Sequence, residues 1–230
     1  MNLLFDIGYN KGLFTKECHR LFPNCKVVAV EANVNLVRDV VATNNLAVIN
    51  ALVSNKPNEY VDFYVEHSQP GISTASKKYI QESRFAKGSS FLPPASGRWS
   101  SPIKVNSITL DQLVKKFGSP DLIKIDVEGY EYEVLLGLTK KQNKICFEWH
   151  EEDYEGLQKC VEHLKSLGYE KFGVIGYFVE GNREKMTFDE RADPYMVEPK
   201  EFFSWEEIKK ELETVCKSDR RVNYGMFFAC

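Results

Sequence analysis

The stretch Leu122 to Glu131, LIKIDVEGYE, places three ionisable side chains where a buried strand should end. Ile123, Ile125 and Val127 fall on one side of a period-2 alternation, and Lys124, Asp126 and Glu128 on the other. Gly129 then breaks the strand, and helical spacing starts at Tyr130. Charge at the end of a core strand is costly unless it is paired or used. In an open α/β sheet, that carboxyl edge is where ligands bind.

A second constellation suggests the ligand. Asp6-Ile7-Gly8-Tyr9-Asn10-Lys11-Gly12 follows the first strand and opens the first helix. Glycines at such a turn let backbone N–H groups and a helix end approach a ligand closely. The spacing is GxxxG, whereas a dinucleotide fingerprint is GxGxxG, and pyrophosphate fits poorly beside Asp6. An acid there suits a ligand with a positive end, such as an amino-acid ammonium. Glu31 closes the second strand ahead of Ala32 and Asn33. A carboxylate at that place can accept both hydroxyls of a ribose, although it can also cap the helix that follows. Asn50 and Ala51, at the end of the third strand, would border an adenine, or Asn50 is a turn residue. Together these positions describe a nucleoside with an amino-acid tail, S-adenosylmethionine.

The ordered set FDIGYNKG, VEAN, ITLD, LIKIDVEGYE and FEWH, over about residues 2–150, resembles the FkbM family of methyltransferases. KIDVEGYE is the most specific of these elements. The resemblance implies a class I methyltransferase fold, Rossmann-like and mostly parallel. It also implies O-methylation of hydroxyls, often on sugars of glycans or of glycosylated natural products, and hence association with or fusion to glycosyltransferase machinery. Beyond residue 180 no family motif is visible, so the acceptor does not carry over.

In the strand order of that fold, the strand ending at Asp126 lies beside the one ending at Trp149. Glu148 and His150 share one face of the latter, so Lys124, Asp126, Glu128, Glu148 and His150 would converge near the methyl donor. An aliphatic hydroxyl needs a base or a metal at neutral pH. Either Glu128 or His150 takes the proton, or Asp126 and Glu148, with His150, hold a divalent cation such as Mg²⁺ or Mn²⁺. Plainer readings stand beside these: a Lys124–Glu148 ion pair, and an exposed loop histidine ahead of Glu151-Glu152-Asp153. Ser73 and Thr74 match in position a small-residue element of the family and would touch cofactor or substrate. Trp99, Tyr130 and Trp149 suit stacking on a sugar ring, or plain packing.

The elements that must position these residues alternate strand and helix, which predicts a doubly wound α/β sheet. Strands are expected at 2–5, 26–30, 47–53, 60–66, 122–128, 144–149 and 171–179. Helices are expected at 11–21, 35–45, 111–116, 130–138, 155–167 and 205–215. The last run, 222–230, returns as an antiparallel edge or inserts beside its predecessor. Residues 68–101 lack a clear period and carry Lys77, Lys78, Arg84, Lys87 and Arg98 against Glu82, so they read as a lid or substrate loop. Such a basic run is also what a solvated face looks like. The 230 residues suit one domain. The start of the first strand almost at Met1 fits either a trimmed fold or one domain of a longer polypeptide.

A net charge of −3 argues against a duplex nucleic-acid binder, and there is no (N/D)PP(Y/F) motif for methylation of an amino group. No apolar run is long enough to span a membrane, and no signal-peptide pattern precedes the first strand. Six cysteines without a CxxC pair read as reduced thiols of a cytoplasmic protein. The competing functions are an NAD-dependent oxidoreductase, a methyltransferase of a non-sugar hydroxyl, and a glycan-binding domain with a dead cofactor pocket.

Overall fold

The computed structural model describes residues 1–87, 98–178, 199, 201–216 and 223–230. The strands are β1 (Leu3–Ile7), β2 (Lys26–Glu31), β3 (Leu46–Asn50), β4 (Leu52–Val53), β5 (Tyr60–Phe63), β6 (Ile103–Ile108), β7 (Leu122–Ile125), β8 (Ile145–His150), β9 (Phe172–Phe178) and β10 (Asn223–Ala229). The helices are α1 (Leu13–Leu21), α2 (Val34–Val37), α3 (Lys77–Glu82), α4 (Arg84–Lys87), α5 (Leu110–Phe117), α6 (Glu131–Leu135), α7 (Tyr154–Ser166) and α8 (Trp205–Cys216).

Seven strands form one sheet in the order β3-β2-β1-β7-β8-β10-β9. All neighbours up to β8 are parallel, and β10 runs antiparallel to both β8 and β9. Of the two placements open from sequence, insertion is the one adopted. Its cause is apolar. Phe227 of β10 lies 5.3 Å from Phe147, 5.8 Å from Phe172 and 6.2 Å from Trp205, ring centre to ring centre. An edge strand would leave that aromatic surface in water.

Both faces of the sheet are covered. Phe5, Ile7, Ile123, Ile125 and Phe147 pack on one face with Leu110 and Leu113 of α5, Val134 of α6 and Leu164 of α7. Leu4, Val27, Ala29 and Cys146 pack on the other with Phe14 and Cys18 of α1. The sequence TLDQ starts α5 with a reciprocal cap. The Thr109 hydroxyl accepts the Gln112 N–H, and the Gln112 side chain accepts the Thr109 N–H, each at 3.1 Å.

Three expectations need correction. The helix expected at 35–45 is a single turn, Val34–Val37. The strand expected at 47–53 breaks at Ala51 and serves two sheets. Asn50 Nδ2 donates to the carbonyls of Glu31 and Ala32, turning the chain, and β4 then joins a small sheet in the order β4-β6-β5. Alternation marks a strand but not which sheet it joins. The region read as an irregular loop contains α3 and α4, and is followed by β6, for which no strand was expected. Residues 181–206, a polar run with Pro194 and Pro199 ahead of α8, fall mostly outside the described residues.

Candidate active site

The carboxyl ends of β1, β2 and β7 surround a cavity of about 200 Å³. It lies at the point where the chain order reverses, with β1 flanked by β2 on one side and β7 on the other. Gly8, Asn10, Glu31, Ala32, Ala51, Ser73, Asp126, Glu128 and Tyr130 all line it, and Leu52, Val53 and Phe63 give it an apolar wall. The turn after β1 takes left-handed backbone at Gly8 (φ 77°), Asn10 (φ 50°) and Gly12 (φ 70°). At Gly8 a side chain is excluded outright, because a Cβ would run into the carbonyl oxygen of Asp126. The glycine therefore lets β1 and β7 close on each other as well as opening the cavity.

Glu31 is oriented by its own chain. Its Oε2 accepts the Asn10 N–H and its Oε1 the Asn33 N–H, both at 2.8 Å. Burial pushes the carboxyl above its ordinary value, and the two N–H groups pull it back. Each oxygen keeps a lone pair, so the fixed carboxylate can still accept a pair of ligand hydroxyls. Asn33 meanwhile caps α2, and Asn50 braces the ends of β2 and β3.

Asp6 does not line the cavity. It is fully buried, its Oδ2 accepting the Thr15 hydroxyl at 2.6 Å and its Oδ1 lying 3.2 Å from Lys124 Nζ. Lys124 Nζ also donates to the Gly8 carbonyl at 2.8 Å and lies 3.4 Å from Asp126 Oδ2. Burial disfavours the ammonium, but the charges of Asp126 and Asp6 outweigh it and hold the amine above its ordinary value. The partners of Lys124 are thus two aspartates, not Glu148. The lysine ties the end of β7 to the glycine turn.

Past Asp126, Glu128 takes left-handed backbone (φ 57°) and turns its side chain toward β8. One donor atom each from Glu128, Glu148 and His150 lies within 4.8 Å of the other two, and His150 Nε2 is 3.0 Å from Glu148 Oε2. The trio expected to hold a cation was Asp126, Glu148 and His150; Glu128 joins the latter two here, and the Asp126 side chain reaches Glu148 as well. Burial pushes both glutamates well above the ordinary carboxylate range, and each is raised further by neighbouring carboxylates. His150 is buried and stacks on Tyr224 rather than standing in an exposed loop.

Tyr79 and Glu131 belong to this cluster and were not anticipated. The Tyr79 hydroxyl donates to Glu128 Oε2, and its ring packs on Gly129, where a Cβ would come within 2.9 Å. Its position in an aperiodic loop hid it. Glu131 sits at the start of α6 and accepts the Val127 N–H at 3.1 Å. The acid was legible as part of the charged motif, its burial was not.

Burial pushes Glu131 up to about 8 against the pull of His150, with the Glu148 charge adding to it. The folded chain therefore holds a proton that the unfolded chain releases near its ordinary value of 4.5. Stability from this group is full below that value and is lost as pH rises to about 8. Glu131→Gln keeps the acceptor for Val127 and removes the titration. Its melting temperature should exceed that of the wild type at pH 9 and match it at pH 4.5. An offset equal at both pH values would dismiss the assignment.

A second cavity, of about 300 Å³, opens between α3, α6, α7 and the end of β8. Glu148 and His150 line it, and Ala75 and Tyr130 border both cavities. Thr74 is a clasp, donating to the Glu128 carbonyl at 2.7 Å, and Ser73 accepts the Glu66 N–H at 3.0 Å. Trp149 packs in the main core, and Trp99 donates to the Ile72 carbonyl. The basic charges of the loop meet the acidic turn after β8, Lys78 lying 2.6 Å from Asp153 and Arg84 3.7 Å from Glu152.

Among solved structures, precorrin-6y C5,15-methyltransferase from Geobacter metallireducens GS-15 is 16% identical, with all of this chain covering 79% of that one at a TM-score of 0.43. A second structure, from Thermoplasma acidophilum, is 10% identical, with all of this chain covering 67% of that one at a TM-score of 0.38. Neither likeness carries weight at such scores. No curated protein matches the chain. The profile of the methyltransferase FkbM domain, by contrast, matches residues 6–173, a span that takes in the glycine turn, Glu31, the charged end of β7 and the Glu148–His150 pair. The chain belongs to the FkbM-domain family of methyltransferases.

Proposed function

We propose that this chain is an S-adenosylmethionine-dependent O-methyltransferase acting on a sugar hydroxyl of a glycan or glycoconjugate. The observation that carries the reading is the first cavity, with Glu31 fixed by two backbone N–H groups on one side and the acids Asp126 and Glu128 on the other. Glu31 suits the ribose hydroxyls and the apolar wall of Leu52, Val53 and Phe63 suits the adenine. Asp126 would face the positive sulfonium and ammonium, a part that Asp6, which does not line the cavity, is not placed to play. In the reaction the acceptor oxygen bonds the methyl carbon as the carbon–sulfur bond breaks. The sulfonium becomes a neutral thioether, and the hydroxyl proton passes to the Glu128–Glu148–His150 cluster.

The acceptor would enter through the second cavity, whose polar wall holds Glu148 and His150 beside Tyr130. Of the stretch 68–101, residues 88–97 lie outside the described residues, and the described part, 68–87, would act as its lid. We place the protein in the cytoplasm beside the glycosyltransferases that build its acceptor, in keeping with its free cysteines, Cys18, Cys25, Cys146, Cys160 and Cys230. Among the described residues no helix is long and apolar enough to cross a membrane.

Calorimetry with S-adenosylhomocysteine tests the donor. The wild type should bind it, and Glu31→Gln should weaken binding about 10- to 100-fold, or ~1.4–2.8 kcal/mol. Binding of NAD without S-adenosylhomocysteine would sink the proposal in favour of an oxidoreductase. Mass spectrometry of candidate glycans incubated with enzyme and methyl-labelled donor would test the acceptor.

A further inference from the structure

We propose that Glu128, Glu148 and His150 form a binding site for one divalent cation, preferring Mn²⁺ to Mg²⁺, at the junction of the two cavities. The role given to the cation rests on the functional reading above; its binding does not.

The site is built from three separate observations. First, one ligand atom from each residue lies within 4.8 Å of the others, a spacing that a single ion can bridge. Second, the imidazole is sequestered. His150 is 4% exposed, its Nε2 faces Glu148, and its Nδ1 is buried without a hydrogen-bond partner. Third, the trio spans the boundary, since Glu128 lines the first cavity while Glu148 and His150 line the second.

The basic groups whose charges reach Glu148 are Arg84 and Lys124. Arg84 lies 3.7 Å from Glu152 and over the Tyr224 ring, its Nη1 buried without a hydrogen-bond partner, and Lys124 is held by Asp6, Asp126 and the Gly8 carbonyl. The support behind Glu128 resembles that of a metal ligand, whose outer partners fix its orientation. Tyr79 donates to the carboxylate and Thr74 to the carbonyl of the same residue. Both come from the loop over the cavities, and together they hold a non-glycine residue in left-handed backbone.

Two carboxylate oxygens and one imidazole nitrogen suit Mn²⁺, which accepts both donor types, better than Mg²⁺, which favours oxygen and retains water. Three protein ligands leave positions open for a hydroxyl oxygen from the second cavity. With a cation bound there, the base role given above to the cluster would pass to solvent: the ion would acidify the acceptor hydroxyl as a Lewis acid, and its proton would leave to bulk water.

The test is Mn²⁺ titration of the full chain, followed by electron paramagnetic resonance and calorimetry, with and without S-adenosylhomocysteine. One saturable site is expected, with Mg²⁺ competing only at higher concentration. His150→Ala and Glu148→Gln should each abolish it while retaining S-adenosylhomocysteine binding, which reports an intact fold. Tyr79→Phe, which touches no ion directly, should weaken it about 10-fold or more. A wild type that binds S-adenosylhomocysteine but shows no saturable Mn²⁺ would overturn the site. So would Mn²⁺ binding unchanged in the His150 and Glu148 variants. Mn²⁺ binding without S-adenosylhomocysteine binding would keep the cation site and end the donor reading.

Discussion

Lys124→Met should destabilise the fold by about 3–5 kcal/mol, a large part of the stability of an ordinary domain. Methionine has nearly the length of the lysine and none of its charge. The substitution strands Asp6, a fully buried carboxylate left with the Thr15 hydroxyl alone. It also removes the donor from the Gly8 carbonyl, so the glycine turn and the end of β7 lose their shared tether. Urea unfolding would measure the loss. The double variant Lys124→Met, Asp6→Asn removes both charges and should recover much of it, because most of the cost is the uncompensated acid. A single variant within about 1 kcal/mol of the wild type would show that the network is not what joins β1 to β7.

Asp126→Asn should lower kcat/KM for methyl transfer by about 10²–10³-fold, in the range of a removed electrostatic contact to the reacting centre. The fold should tolerate it. Asparagine has the same shape, the residue 126 N–H still donates to the Ile7 carbonyl, and Lys124 keeps Asp6 as its charged partner. Steady-state kinetics with labelled donor, beside thermal melts, would separate the two effects. A stable variant with wild-type turnover would remove Asp126 from the chemistry.

The alternation of strands and helices was legible because β1, β2, β7 and β8 have strong periodicity and short connections. The charged end of β7 and the glycine turn were legible because acid and glycine in those places have few purely structural uses. What local sequence could not carry was the pairing between distant segments. Asp6 reads as a ligand group until Lys124, on the neighbouring strand, is seen opposite it. Tyr79 reads as a loop aromatic until α3 lays it across Gly129. Lys78 and Arg84 of the basic loop, and Asp153 and Glu152 of the acidic turn after β8, each look solvated alone, and they face one another. Of the residues expected to touch cofactor or acceptor, Ser73 lines the first cavity and Trp149 the second, while the Thr74 hydroxyl is bonded to the Glu128 carbonyl.

The meeting of Gly8 with the Asp126 carbonyl bears on how such an enzyme can diversify. Residue 8 can grow no side chain without parting β1 from β7, so the offset between Glu31 and Asp126 has no local means of adjustment. Methyl donor and transfer point form a unit of fixed dimensions. Adaptation to a new acceptor is then left to the far wall, where residues 75–78, 130–133 and 153–160 come from separate helices that can be remodelled one at a time.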